Sequence, residues 1–163
     1  MSGLLPIVQT GLEVAHIDYE ILECDPELAD TAAFCENYDF KLDESANAII
    51  VASKTDPVKF ACCVVLATTK LDVNKAVCTQ MGVRRASFAG HDQSVQLTAM
   101  ESGGVTPFGL PEDVPVYIDA AVMKQAKVVM GGGNRSSKVV LRPSELLKLP
   151  EATVVEGLAK PKA

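Results

Sequence analysis

Two β-rich apolar runs constrain this chain more than any other feature: Ala48 to Ser53 and Phe60 to Thr68. The residues between them, Lys54 to Lys59, read as a hairpin link with Asp56-Pro57 as its turn. Val83 to Phe88 and Val114 to Asp119 read as further short strands. Val128 to Met130 and Lys138 to Leu141 read as two more, joined by a tight glycine turn. Helices alternate with these strands. Asp25-Pro26-Glu27 looks like a helix start, with the helix running to about Tyr38 and Asp30-Thr31 as a competing start. Asp72 caps a helix that Gly82 ends. Asp92 caps another through about Met100, a short helix follows Asp119, and Pro143-Ser144 opens the last. Several hairpin-like links among mixed elements predict an α/β fold with a mixed, partly antiparallel sheet packed with helices.

Composition agrees. The 163 residues predict one domain, with residues 1–25 as an N-terminal extension and 160–163 as a frayed tail. Apolar residues make up 48%, enough for a sizeable core. No run approaches the ~20 apolar residues of a membrane span, so no membrane association is expected. Fifteen Lys and Arg against 21 Asp and Glu leave −6, which excludes a general nucleic-acid coat. Any nucleic acid must be met through a local patch. Met1 to Pro6 shows no signal peptide. The five cysteines form no C-x-x-C pair, and Cys62-Cys63 reads as buried thiols in a core strand. Free thiols fit a reducing cytoplasm.

Several segments could carry chemistry. Gly103, Gly104, Val105, Thr106, Pro107, Phe108 and Gly109 form a stiffened glycine loop that can present backbone N–H groups to an oxyanion. Gly131, Gly132, Gly133, Asn134 and Arg135 form a second glycine turn. It lacks both the P-loop and the dinucleotide-binding spacing, yet Arg135 could meet a phosphate or carboxylate. Asp119 ends an apolar strand, where it could orient a substrate or cap the following helix. His16 and His91 read as surface residues. Arg84 and Arg85 are adjacent. Lys124, Lys127, Lys138 and Arg142 crowd one region, as a phosphate-facing rim or a solvated face.

Taken in order, Gly103 to Leu110, Val116 to Asp119, Gly131 to Arg135 and Leu141 to Leu146 resemble the YbaK/prolyl-tRNA-synthetase-associated family of aminoacyl-tRNA editing proteins. Upstream, Asp30 to Ala33, Lys70 to Lys75 and Met81 to Ala89 fall where that family has similar segments. The resemblance implies a sheet curled into an open barrel-like core surrounded by helices. It implies a freestanding cytoplasmic deacylase acting on mischarged tRNA, of the tRNAPro type, with an aminoacyl-tRNA synthetase as a possible partner. No metal or organic cofactor is implied. The glycine loop, Gly104 above all, and the 131–135 turn would wall the aminoacyl pocket, with Asp119 in the same cleft. Valine at Gly104 or Gly109 is then expected to cut activity and leave the fold mostly intact. Lys124, Lys127, Lys138 and Arg142 would meet tRNA. One position departs from the family: the lysine that many members carry on the first core strand falls at Asn47. Lys54, seven residues on, would be ~23 Å away in an extended strand. A non-catalytic binding module and a small-molecule hydrolase stand as the alternatives.

Overall fold

The apolar runs flanking Asp56-Pro57 do pair, and the rest of the fold is assembled around them. The computed structural model describes residues 3–38, 40–101 and 104–161. The elements in chain order are α1 (Pro6–Val14), β1 (Glu20–Glu23), α2 (Thr31–Asn37), β2 (Ala46–Ser53), β3 (Phe60–Leu66), β4 (Thr69–Leu71) and α3 (Cys78–Met81). They continue with β5 (Ala86–Phe88), α4 (His91–Thr98), β6 (Val116–Asp119), β7 (Val128–Gly131), β8 (Ser137–Leu141), β9 (Ala152–Val155) and β10 (Ala159–Pro161).

The central sheet has the order β5-β2-β3-β6-β9. β2 is antiparallel to β3 and β5, whereas β3, β6 and β9 run parallel. Flanked on both sides, β3 is buried from Ala61 to Leu66, as its unbroken apolar run requires. Its alternation splits the interior: Cys62 and Val64 enter the main core, Cys63 and Val65 a second one. A smaller antiparallel sheet, β1-β8-β7, meets the first through a parallel bridge between Ser45 and Val129. β10 pairs with β4. The whole is a mixed sheet that curls without closing.

The chain before residue 25 is part of this core and no mere extension. Leu4, Val8, Leu12 and Ile17 are buried in the main cluster, and β1 pairs with β8. The helix expected from Asp25 to Tyr38 is divided. Asp25 Oδ1 accepts from Glu27 N at 3.0 Å over a 3-10 turn, Pro26–Leu28. There the Pro26 carbonyl accepts from Arg135 instead of continuing a helix, and α2 starts afresh after Asp30. Asp72 caps as expected, accepting from Lys75 N at 3.2 Å, over a π-helical turn that runs into α3 and ends at Gly82. α4 begins two residues earlier than expected: Gly90 is its N-cap and Asp92 lies within the first turn. The last helix is only a 3-10 segment, Pro143–Lys148. Lys160 is no frayed tail, because β10 pairs it with β4; residues 162 and 163 lie outside the described residues.

Candidate functional site

The site follows from a fork in the sheet. One edge of β2 is covered completely by β3. Its other edge is shared. β5 pairs with Val51 to Ser53, and the bridge to β7 starts at Ser45. Between these junctions the two partners splay apart. The Ile50 carbonyl accepts from Ala89 N on this edge at 2.9 Å. Alternation therefore turns the Ala48 N–H and carbonyl to the same side, into the gap. A cavity of about 420 Å³ fills the fork. Asn47 and Ala48 line it from β2, Met130 and Gly131 from β7, and Lys138 from β8. Phe34, Met100 and Val105 supply apolar wall.

Lys138 is the unusual member. It is only 8% exposed. Its Nζ donates to the Ala29 carbonyl at 2.8 Å and sits 5.2 Å from the centroid of the Phe34 ring. An ammonium carries three donors, and Ala29 takes one of them. Burial pushes its pKa below the usual lysine range. Lys138 is thus a buried basic group at the cavity and not a member of an exposed rim. β8 places it there: the face of this central strand that carries Lys138 is packed by Ala29 and Phe34. Of the other expected rim residues, Lys127 is exposed with its Nζ 5.0 Å from the Phe40 ring centroid, and Lys124 and Arg142 are exposed.

Arg135 finds a carboxylate, but one of this chain. Nη1 lies 3.2 Å from Asp30 Oδ1, and Nε and Nη2 donate to the Pro26 carbonyl at 3.1 and 2.9 Å. It clamps the 26–30 segment onto the glycine turn and so fixes Asp30 and Ala29 at the cavity wall. Asn134 is also structural. Its Oδ1 accepts from Ser137 Oγ at 2.7 Å, and its Nδ2 donates to the Gly3 carbonyl at 2.9 Å.

The two glycine segments are laced to each other. Gly133 N donates to the Gly104 carbonyl at 2.7 Å, and Glu101 N donates to the Gly133 carbonyl at 2.9 Å. A Cβ on Gly131 would stand 2.6 Å from the Gly104 oxygen, and one on Gly104 would stand 2.8 Å from the Asn134 nitrogen. These glycines let two backbones approach; of them, only Gly131 lines the cavity. Within the loop, Val105 reaches the cavity, Thr106 and Phe108 are fully buried, and Pro107 and Gly109 face a separate groove beside α1. Gly132 is buried behind the turn. Gly103 lies outside the described residues.

Asp119 does not enter the cavity. Asn47 pairs with Val65, and the next step of the β3–β6 register sets Val65 beside Asp119. Two strand spacings, ~10 Å, therefore separate Asn47 from Asp119. The Asp119 side chain turns to β10, accepting from Ala159 N at 3.5 Å, and makes no cap bond to the following 3-10 turn. Burial pushes its pKa up. Lys54 is exposed beyond the end of β2, its N–H bonded to the Arg85 carbonyl at 2.9 Å. It is outside the cavity that Asn47 lines.

His91, read from the sequence as a surface residue, is exposed and also lines the cavity from α4, together with Ser94 and Val95, to which the sequence reading gave no role. Their i, i+3, i+4 spacing on a helix start was the available signal.

Compared with known proteins, the chain matches the family described as aminoacyl-tRNA editing domain over residues 25–149. It is 36% identical over 62 residues to the uncharacterized protein YwhH of Bacillus subtilis (strain 168), a stretch that is 38% of this chain and 40% of that protein. The match therefore spans less than half the length of that curated relative. Among solved structures, the hypothetical protein APE2540 superposes with a TM-score of 0.83 at 20% identity, over 94% of this chain and 99% of that one. A proposed trans-editing enzyme for prolyl tRNA synthetase superposes with a TM-score of 0.82 at 20% identity, over 98% of this chain and all of that one. At such identities the likeness establishes the fold.

Proposed function

This chain belongs to the aminoacyl-tRNA editing domain family, and from that premise we propose that it hydrolyses the ester between a wrong amino acid and a tRNA 3′ end, in trans. The observation that carries the reading is the cavity beside the uncovered edge of β2, where Asn47, the Ala48 backbone and the buried Lys138 converge within apolar walls. An aminoacyl ester is already activated. Placing a water and stabilising the oxyanion suffices, with no strong nucleophile. Water adds to the acyl carbonyl. The tetrahedral intermediate then expels the ribose oxygen, which takes a proton, leaving free amino acid and uncharged tRNA. In this reading the side chain of the amino acid packs against Met100, Val105 and Met130. The Asn47 amide and the Lys138 ammonium donate to the developing oxyanion. Asp119 holds β10 and touches no substrate.

The cavity also suits a sieve. Apolar walls distinguish side chains by ~1–3 kcal/mol per methylene, so a second hydrolytic pocket adds to what a synthetase achieves alone. The solved neighbour described for prolyl tRNA synthetase supports tRNAPro as the first substrate to try, with that synthetase as the partner whose errors are cleared.

The test is deacylation of a panel of mischarged tRNAs by the purified chain. At least one should be hydrolysed well above its spontaneous rate. Binding without hydrolysis of any member would leave a non-catalytic module. Hydrolysis of free aminoacyl esters but of no tRNA would leave a small-molecule hydrolase.

A further inference from the structure

Across β5 from the cavity lies a second groove of about 610 Å³, bounded by β4, β10 and β5. We propose that this groove binds the unpaired 3′ end of an RNA and delivers its terminal nucleotide over β5 into the Asn47–Lys138 cavity; the proposal rests on the function proposed above.

Charge is the first ground. The chain carries −6 overall, yet Lys70 and Lys160 stand directly opposite each other in the β4–β10 ladder, and both are exposed. Like charges so placed repel; Asp72 offsets Lys160 in part, and a phosphate between the two lysines would relieve the rest. Asp72 is the one acid lining the groove, and it is engaged. Its Oδ1 accepts from Lys75 N at 3.2 Å, and its Oδ2 is 3.7 Å from Lys160 Nζ. Arg84 and Arg85, both exposed, lead directly into β5.

The second ground is Phe88. It lines the groove and is 59% exposed, the one exposed aromatic among the described residues. A bare ring beside spaced cations is what single-stranded nucleic acid uses: bases stack on the ring and phosphates meet the lysines. An acidic peptide would use the cations and leave the ring without a role.

The third ground is continuity. Phe88 lines the groove, and Ala89 and His91 line the cavity. Three residues of backbone separate the stacking platform from the mouth of the reaction site, ~10 Å of chain. One strand of RNA can occupy both.

The experiment measures binding of an uncharged RNA hairpin carrying a tRNA acceptor stem and its unpaired 3′ end, by fluorescence anisotropy, to the full chain. Phe88→Ala should weaken it about tenfold, and Phe88→Tyr should restore it. The double variant Lys70→Gln/Lys160→Gln should bind more weakly and flatten the log K against log salt slope by about 0.7 for each lysine that meets a phosphate. Melting temperatures of all variants should match the parent, since all three side chains are exposed. Hydrolysis of a small aminoacyl ester should be unchanged. RNA affinity within twofold of the parent in Phe88→Ala and in the double variant would overturn the proposal. So would equal losses with a blunt hairpin lacking the single-stranded end, or a poly-glutamate peptide that competes as well as the RNA. Because the RNA is uncharged, failure of hydrolysis and failure of this groove are separate results.

Discussion

At the residue scale, the proposed function divides the work of the cavity between Lys138 and Asn47. Lys138 is held in place by one hydrogen bond and a ring face, in surroundings that disfavour its charge. Such a group costs stability unless its pairing is excellent. Lys138→Met, close in volume and without charge, should therefore keep or raise the melting temperature at pH 7. It should also lower deacylation tenfold or more, the worth of a hydrogen bond to a charged group. The pH dependence has a definite sign. With its native pKa below the unfolded value, the native state binds fewer protons than the unfolded state between the two values. Stability of the parent should rise with pH through that alkaline window, closing on the variant, and denaturant melts from pH 7 to 10.5 would show it. A pH-independent difference would mean that Lys138 is not a penalised cation. In the proposed reaction Asn47 contributes a hydrogen bond and no charge. Asn47→Ala should lower single-turnover deacylation about fivefold, the ~1 kcal/mol of one neutral hydrogen bond, and Asn47→Lys should keep or raise it. Lys54→Ala, outside the cavity, should leave the rate near that of the parent; its abolition there would hand Lys54 the role given to Asn47.

At the element scale, the glycine segments behave as joints between chain segments more than as donors to a ligand. Gly104→Val puts side-chain atoms into the backbone of Asn134, and Gly131→Val puts them against the Gly104 carbonyl. Overpacking of this kind costs ~1–3 kcal/mol and more where only backbone can yield. Both variants should thus lose ~3 kcal/mol and melt ~6–12 °C lower, with activity falling in step. That reverses the expectation of lost activity on an intact fold, and it extends to Gly109, whose φ of +81° disfavours any side chain. Paired readings of melting temperature and rate would separate the two outcomes. The same segments show what a sequence can and cannot tell. β2, β3, β7 and β8 were legible because a continuous apolar run bounded by a turn reports burial directly. The site was less so. Lys138 sits in a basic-looking stretch, and only the packing of Ala29 and Phe34, distant in sequence, buries it. Asp119 has the look of a site carboxylate, and only the return of β10, distant in sequence, covers it. The fork itself exists because β5 and β7, about 40 residues apart in the chain, share one edge of β2. Such facts are long-range pairings, and no local pattern carries them.

At the scale of the whole molecule, the segment matched to the family and the unit that folds have different boundaries. The match covers residues 25–149. The main core, however, draws Leu4, Val8, Leu12 and Ile17 from before it, and the second core draws Leu158 from after it. Gly11 packs so closely on Gly109 that a Cβ there would meet backbone at 2.8 Å, so α1 is fitted to the loop that carries Val105. Burying each large aliphatic side chain contributes ~1.5–3 kcal/mol. Removing the four N-terminal ones forfeits ~6–12 kcal/mol, comparable to the ~5–15 kcal/mol total stability of an ordinary domain. The C-terminal cut adds to this: β9 covers the outer edge of β6, and β10 supplies the backbone N–H that Asp119 accepts from. Without β10 the Asp119 carboxylate loses a partner while still set in the sheet, a further cost. A chain trimmed to 25–149 should therefore show no cooperative thermal transition by circular dichroism and no RNA or ester chemistry. Trimming only residues 1–17 should already lower the melting temperature below ambient. If the 25–149 piece instead melts cooperatively near the parent temperature, α1 and β10 are accessories to a core that stands alone, and the burial reckoned for them is recovered elsewhere.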